Sequence, residues 1–281
     1  MAPLLEIQDL TRCFGGIAAV NAVGFDVAQG ELVSVIGPNG AGKTTLFNIV
    51  TGLETADEGS VRLAGRDITG LPAEKLAPLG IARTFQHGRV FGNLSVMENV
   101  LVGAHTRLEA VRPQWPLIGP VAEFALALLR PGHVVEEEQR LREDAREIIS
   151  LFGERLMPRL DHPAFSLSYA NRRRVEIARA LAAKPRLLMM DEPTAGMNPT
   201  ETLEMLEIIR ALKGGSLTIL LIEHKLELVM QLSDRVVVMD GGVKIAEDKP
   251  AAIAKNPKVI AAYLGHGAVG EGKSTTAEVA S

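Results

Sequence analysis

A single cysteine, Cys13, in 281 residues rules out an intramolecular disulfide, and the chain fits a reducing compartment. Long apolar runs are also missing. Val121 to Leu129 is the longest candidate and is interrupted by Glu123, well short of the ~20 apolar residues a membrane helix needs. The opening Met-Ala-Pro-Leu-Leu-Glu has no basic stretch followed by an apolar core, so no signal peptide is expected. Positive charge is not in excess either. The net charge is −4 and the pI about 5.9, which argues against nucleic acid as the main partner, since phosphate backbones call for a basic face. What remains is an ordinary globular balance, 47% hydrophobic and 23% charged. The mean hydropathy of +0.15 is slightly high and is met by a large core or by surface buried against a partner.

The chain is organised around Gly37-Pro38-Asn39-Gly40-Ala41-Gly42-Lys43-Thr44-Thr45. This fits G-x-x-x-x-G-K-[ST], a loop whose backbone N–H groups cradle phosphates. An apolar, β-branched segment, Glu31 to Ile36, precedes it, and Leu46 to Val50 can open a helix after it. Strand, glycine loop and helix start together let N–H groups and the positive helix end face an anion. Lys43 then reaches the β- and γ-phosphates, and the Thr44 hydroxyl holds Mg²⁺. Gly267 to Ser274 fits the same pattern but follows no strand and is trailed by only seven residues. It reads as a coincidence in a tail.

A phosphate loop needs other groups to act on the nucleotide. The apolar strand Leu187 to Asp191 ends in two carboxylates, Asp191 and Glu192. The first suits the Mg²⁺ shell and the second can polarise an attacking water. A further apolar strand, Ile219 to Glu223, ends at His224. In an alternating βα arrangement the carboxyl ends of parallel strands line the ligand crevice, which puts His224 and Glu192 on the edge that carries Lys43.

Local signals fill in the rest. Leu4–Phe14, Ala22–Val27 and 60–64 read as strands and Pro72–Leu79 as a short helix. The stretch 81–85 is strand-like and leads directly into Gln86. Ser95-Val-Met-Glu98 is a capping box. Residues 103–131 read as irregular, being broken by four prolines, and Val134–Phe152 as a charged amphipathic helix. A helix over 171–183, a strand over 186–191, a helix from Pro199 capped by Asn198, a strand over 217–223 and a helix over 225–232 follow. Two more strands, 235–239 and 243–246, and two short helices complete the pattern, the last near Val259–Leu264. The Arg172-Arg173-Arg174 run reads as a salt-bridged helix start, with nucleotide contact at a dimer interface as the alternative.

These landmarks, in this order, resemble the ABC (ATP-binding-cassette) ATPases over nearly everything from Leu4 to Gly265. The resemblance implies an α/β P-loop NTPase core with an antiparallel β subdomain and an inserted α-helical subdomain. Residues 1–86 are then the first part of the core, 87–165 the helical insertion and 166–265 the second part of the core. Residues 266–281 are expected to form no folded domain. It further implies an adenine-stacking aromatic at Phe14, a Q-loop at Gln86 that acts in catalysis and on the metal, and the signature Leu167-Ser168-Tyr169-Ala170-Asn171. Ser168 and Ala170 of that signature contact the ATP held by a partner subunit. Asp191 closes the Walker B strand, Glu192 is the catalytic glutamate, the D-loop is 195–198 and His224 is the switch histidine.

Three positions differ from the usual family pattern. Ala170-Asn171 stand where Gly-Gln is common, and Asn198 stands where many members have Asp. Arg83-Thr-Phe-Gln-His87, the helical insertion and the Asn256 to Gly265 segment are similar to the ATPase subunit of branched-chain amino acid importers. That similarity implies ATP and Mg²⁺ as cofactors and a head-to-tail pair of ATPase subunits. It also implies two permease subunits, a substrate-binding protein and a place on the cytoplasmic face of the inner membrane. ATPases of urea, amide, aromatic-acid or lipopolysaccharide systems, and ABC ATPases that transport nothing, stay open at this point.

Overall fold

The computed structural model describes residues 3–84, 90–107, 132–215 and 217–267. In chain order the first elements are β1 (Leu5–Phe14), β2 (Ile17–Val27), β3 (Leu32–Ile36), α1 (Lys43–Val50), β4 (Glu58–Leu63) and β5 (Arg66–Asp67). Next come α2 (Ala73–Leu76), β6 (Ile81–Arg83), α3 (Val96–Ala104), α4 (Gly132–Ser150), α5 (Tyr169–Ala182), β7 (Leu187–Asp191) and α6 (Pro199–Gly214). The last are β8 (Thr218–Ile222), α7 (Leu226–Leu232), β9 (Arg235–Asp240), β10 (Val243–Asp248), α8 (Pro250–Ile253) and α9 (Pro257–Gly267). Among the described residues no helix is long and apolar enough to cross a membrane.

The chain divides into two units, the first made of Met1–Gly70 and Leu220–Ser281 and the second of Leu71–Ile219. In the first unit an antiparallel sheet has the order β2-β1-β4-β5. β2 begins five residues before the expected start, because pairing with β1 continues through Cys13↔Ala18 to Phe14↔Ile17. Ala22, at φ 47°, sits at a break in that pairing. The second sheet of this unit runs β10-β9-β3-β8. β3 and β9 are parallel, Val33 facing Arg235 and Ile36 facing Val238. Every residue of β3 is buried, as a parallel strand covered on both faces requires. Ile36 joins Val229, Val236, Val238, Ile253 and Val259 in one apolar cluster, so the strand that feeds the glycine loop is anchored from three sides. Arg235 ties the periphery together: its guanidinium grips both oxygens of Glu31, at 2.9 and 3.0 Å, and also pairs with Glu247. α9 continues to Gly267, beyond the expected end near Leu264, so the second glycine-rich match starts from a helix end and not from a strand.

In the second unit β6 and β7 are parallel, Ile81 facing Leu187 and Arg83 facing Met189. The described residues of 87–165, a stretch expected as a helical subdomain, lie in this unit together with β6 and β7. The capping box at Ser95 is complete: Ser95 Oγ accepts from the Glu98 N–H at 3.1 Å and a Glu98 oxygen accepts from the Ser95 N–H at 2.7 Å. α3 extends to Ala104, into the stretch expected to be irregular. The reason is packing. At Gly103 a Cβ would come within 1.9 Å of the Arg179 carbonyl oxygen, so glycine here permits a close crossing with α5 and is no helix breaker. α4 buries Leu141, Ala145 and Ile149 on one stripe, with Phe152 buried just beyond its end, as the spacing predicts.

Asn99 is fully buried and organises the turn that enters α3. Its Oδ1 accepts from the Phe91 N–H at 2.8 Å, and its Nδ2 donates to the carbonyls of Phe91, Leu94 and Ser95 at 3.0, 3.2 and 2.9 Å. Asn99→Leu leaves these groups without partners, and each buried orphan costs about 1–3 kcal/mol. The variant is therefore expected to melt well below the parent in a thermal denaturation series. An unchanged melting temperature would mean that the turn does not depend on Asn99.

Candidate functional site

The first unit holds the phosphate-loop half of the expected site. β3 ends at Ile36, residues 37–42 form the loop, and α1 starts at Lys43. Gly42 is the N-cap of α1, with φ 93°, no side chain capping the first turn and no acidic residue in that turn. The helix N–H groups are left facing outward with their positive partial charge, the arrangement that binds anions. A Cβ on Gly42 would lie 2.1 Å from the Ala19 carbonyl oxygen, and its φ is one that residues with a Cβ rarely adopt. Gly42→Ala is accordingly expected to cost at least about 1 kcal/mol from the left-handed backbone alone and to weaken ATP binding. Calorimetric titration with ATP checks this, and parent-like affinity would contradict it.

Lys43 is buried to 6%. Its ammonium donates to the carbonyls of Gly37 at 2.8 Å and Pro38 at 2.9 Å, so it folds back over its own loop and lies where a bound phosphate would need it. Asn39, Gly40 and Thr44 are exposed, Pro38 and Ala41 are buried and Thr45 is half-buried. The Ala41 N–H donates to the Pro38 carbonyl at 3.2 Å, which closes the turn.

Phe14 ends β1 with its ring half exposed. The Arg12 guanidinium lies 4.9 Å from the ring centroid, a cation–π contact. Arg12 is itself held by Glu54 at 3.2 Å and Asp57 at 2.8 Å. The Asp57 carboxylate also accepts the Cys13 N–H, and that hydrogen bond, followed by Arg12, holds its carboxyl below the usual carboxylate range.

His224 is exposed and follows β8, the neighbour of β3 in the sheet. Its placement depends on Glu223, a residue sequence reasoning passed over. The Glu223 side chain is buried, and its Oε2 accepts the N–H groups of His224 at 3.0 Å and Lys225 at 3.3 Å. A carboxylate turned onto its own following backbone fixes the direction in which the chain leaves the strand.

The second unit holds the carboxylate half. Asp191 is the last residue of β7, and its side chain is 1% exposed. Its Oδ2 pairs with Arg83 at 3.2 Å, while Oδ1 is buried with no hydrogen-bond partner among the described residues. Burial pushes the Asp191 carboxyl up, and the Arg83 guanidinium opposes that shift. Glu192 is half-buried and has φ 49°, an uncommon left-handed conformation for a residue with a Cβ. Its carbonyl accepts from the Ala195 N–H at 3.1 Å and from Arg173 at 3.2 Å.

Ser168 is the N-cap of α5, its Oγ accepting from the Asn171 N–H at 3.3 Å, which leaves the hydroxyl hydrogen free to donate outward. Ala170 is buried in the first turn of α5 and is not among the residues with positive φ. The helix therefore accepts a Cβ at the position where glycine is common. Asn198 caps α6 through a reciprocal box with Glu201, at 2.9 and 3.1 Å. Two arginines of the basic run are ion-paired, Arg173 with Glu176 and Arg174 with Glu204, each at 2.6 Å. Gln86 lies outside the described residues.

The family model described as ABC transporter matches residues 20–195. The chain belongs to the ABC transporter family. A second model, described as branched-chain amino acid ATP-binding cassette transporter, matches residues 243–269. The chain is 41% identical over 266 residues to the high-affinity branched-chain amino acid transport ATP-binding protein LivG of Salmonella typhimurium, covering 94% of this chain and 98% of that protein. It is 40% identical over 264 residues to BraF of Pseudomonas aeruginosa, a protein of the same description, with the same shares covered. A crystal structure of the ADP conformation of MJ1267, an ATP-binding cassette of an ABC transporter, superposes with a TM-score of 0.78 at 33% identity. That match covers 94% of this chain and 100% of the other. The ABC ATPase fold anticipated from the motifs is thus the observed one. As an ATP-binding chain of this family, the protein is a nucleotide-binding ATPase coupled to transport.

Proposed function

We propose that this chain powers the import of branched-chain amino acids, working from the cytoplasmic face of the inner membrane. Two ATPase subunits close head to tail against two permease subunits, and a binding protein delivers the amino acid. The observation that carries the cargo assignment is the match of residues 243–269 to the branched-chain amino acid model, beside full-length similarity to LivG and BraF. The helical region 87–165 is taken as the part that transmits closure to the permeases.

Each residue has a physical reason for its role. Residues 37–45 wrap the phosphates with N–H groups, and Lys43 adds a charge that a buried phosphate oxygen needs. Phe14 offers its ring to adenine, with Arg12 on the ring making it a fixed platform. Each of the assigned residues has the donor chemistry that magnesium takes. The buried, unpaired Asp191 Oδ1 and the Thr44 hydroxyl at the start of α1 are hard oxygen donors of the kind Mg²⁺ takes, and Gln86 is assigned as the third. When bound there, Mg²⁺ would neutralise charge on the β- and γ-phosphate oxygens. The Arg83 guanidinium opposes the upward push that burial gives the Asp191 carboxyl. Glu192 accepts the proton of the attacking water, and His224 holds the γ-phosphate geometry. Ser168 and Ala170 present their N–H and hydroxyl groups to the ATP on the partner subunit.

The test is affinity purification of the tagged chain from membranes, with identification of what accompanies it. Two permease subunits and a second ATPase support the reading. A chain recovered alone from the soluble fraction, or bound to ribosomes or DNA, would count against it.

A further inference from the structure

Arg173 and Glu176, on α5, are each buried to 1%, and the chemistry proposed above uses neither. Arg173 Nη1 donates to Glu176 Oε2 at 2.6 Å, which turns the guanidinium across the helix. Its other edge leaves the helix altogether. Nη2 donates to the carbonyl of Asp191 and to that of Glu192 at 3.2 Å. A buried ion pair contributes little net stability, since desolvation offsets the attraction, and an apolar pair of the same volume packs equally well. What the charged pair provides is direction. The guanidinium is a rigid planar fork with several donors, and here it spans from one helix to two consecutive carbonyls.

Those carbonyls belong to the residues that matter most. Glu192 is held at φ 49°, a conformation that persists only where the surroundings fix it. Its own turn, closed by the Ala195 N–H at 3.1 Å, is one restraint and Arg173 is another. A second contact binds the same two segments: Tyr169, the first residue of α5, packs its ring on Gly196, where a Cβ would lie 3.1 Å from it. The start of α5, capped by Ser168, therefore grips both ends of the 191–196 stretch.

We propose that Arg173 is a positioning residue for hydrolysis: from the signature helix it clamps the backbone of Asp191 and Glu192, so that the placement of Ser168 and the aim of Glu192 change together. The inference rests on the reading of Glu192 as the group that activates water. Under that reading, engagement of the signature with one nucleotide is transmitted to the carboxylate that acts on the other.

The test uses the full chain, with MgATP hydrolysis, ATP affinity and thermal melting measured on Arg173→Lys, Arg173→Met, Glu176→Gln, Glu192→Gln and the double variant Arg173→Lys/Glu192→Gln. Lysine keeps the charge and the Glu176 pairing but lacks the fork. Arg173→Lys is expected to lower kcat about 10- to 100-fold, the size of a small misplacement of a reacting group, with ATP affinity within error of the parent and the chain fully folded at the assay temperature. Arg173→Met should fall further. Glu176→Gln should show the same split to a smaller extent, which also decides the matter if the Arg173 variants fold poorly. Because Arg173 acts through Glu192, the double variant should hydrolyse no more slowly than Glu192→Gln alone. Parent-like turnover in Arg173→Lys and Glu176→Gln, losses explained by weaker ATP binding or melting, or losses that multiply in the double variant would each overturn the proposal. Parent-like turnover in Glu192→Gln alone would bring down the reading of Glu192 instead.

Discussion

Glu192→Gln is expected to slow ATP hydrolysis at least ~100-fold, the usual size of a general-base contribution, while leaving ATP binding intact. Glutamine keeps the shape of the side chain and removes only its ability to accept a proton. The backbone features that place residue 192 survive the change, since Arg173 and the Ala195 N–H both bind its carbonyl. The glutamine also keeps a Cβ, so the φ of 49° is no harder to hold than before. Lys43 and the N-terminus of α1 are unaltered, so the phosphates are still bound. The effect should lie in kcat alone, visible as a lost single-turnover burst with an unchanged ATP titration. Parent-like turnover in the reassembled complex would remove Glu192 from the chemistry.

Lys43→Ala should act on the other side of that split, by removing nucleotide binding itself. Its ammonium is buried and spans the Gly37 and Pro38 carbonyls at 2.8 and 2.9 Å. Alanine therefore loses two things: a charged donor to the phosphates and the strut that holds the loop in shape. A hydrogen bond to a charged group contributes about 1.5–3 kcal/mol, so ATP affinity should fall by at least about tenfold, and hydrolysis with it. Retained tight ATP binding by Lys43→Ala would count against the phosphate-loop reading of residues 37–45.

Much of this site could be read directly from residue order. A buried apolar strand, a glycine loop and a helix start leave few other folds for 31–50, and β3 and α1 lie where that pattern puts them. Capping signals were equally legible, because Ser95 with Glu98 and Asn198 with Glu201 are local in sequence and their bonds are local in space. Features that depend on distant partners were not. Gly103 was placed at the start of an irregular stretch because its role is set by the Arg179 carbonyl, far along the chain. Arg173 looked like one charge in a basic run, since nothing local says that its guanidinium reaches the carbonyls of Asp191 and Glu192. Arg83 was one letter of a motif until β6 and β7 came into register and brought it to Asp191. Glu223 was read as part of an apolar strand end, although it fixes the backbone on which His224 stands. The glycine pattern at 267–274 shows the opposite failure: its letters match, yet Gly267 closes a helix.

The most direct test of the account is leucine transport by inside-out vesicles that contain the complete transporter, with this chain facing outward and the binding protein enclosed with labelled leucine. Export of leucine into the medium should require MgATP added outside, should stop with Glu192→Gln in this chain, and should be competed by isoleucine or valine. Leucine movement that ignores external ATP, or ATP hydrolysis that ignores both leucine and its binding protein, would contradict the claim that this chain drives branched-chain amino acid transport.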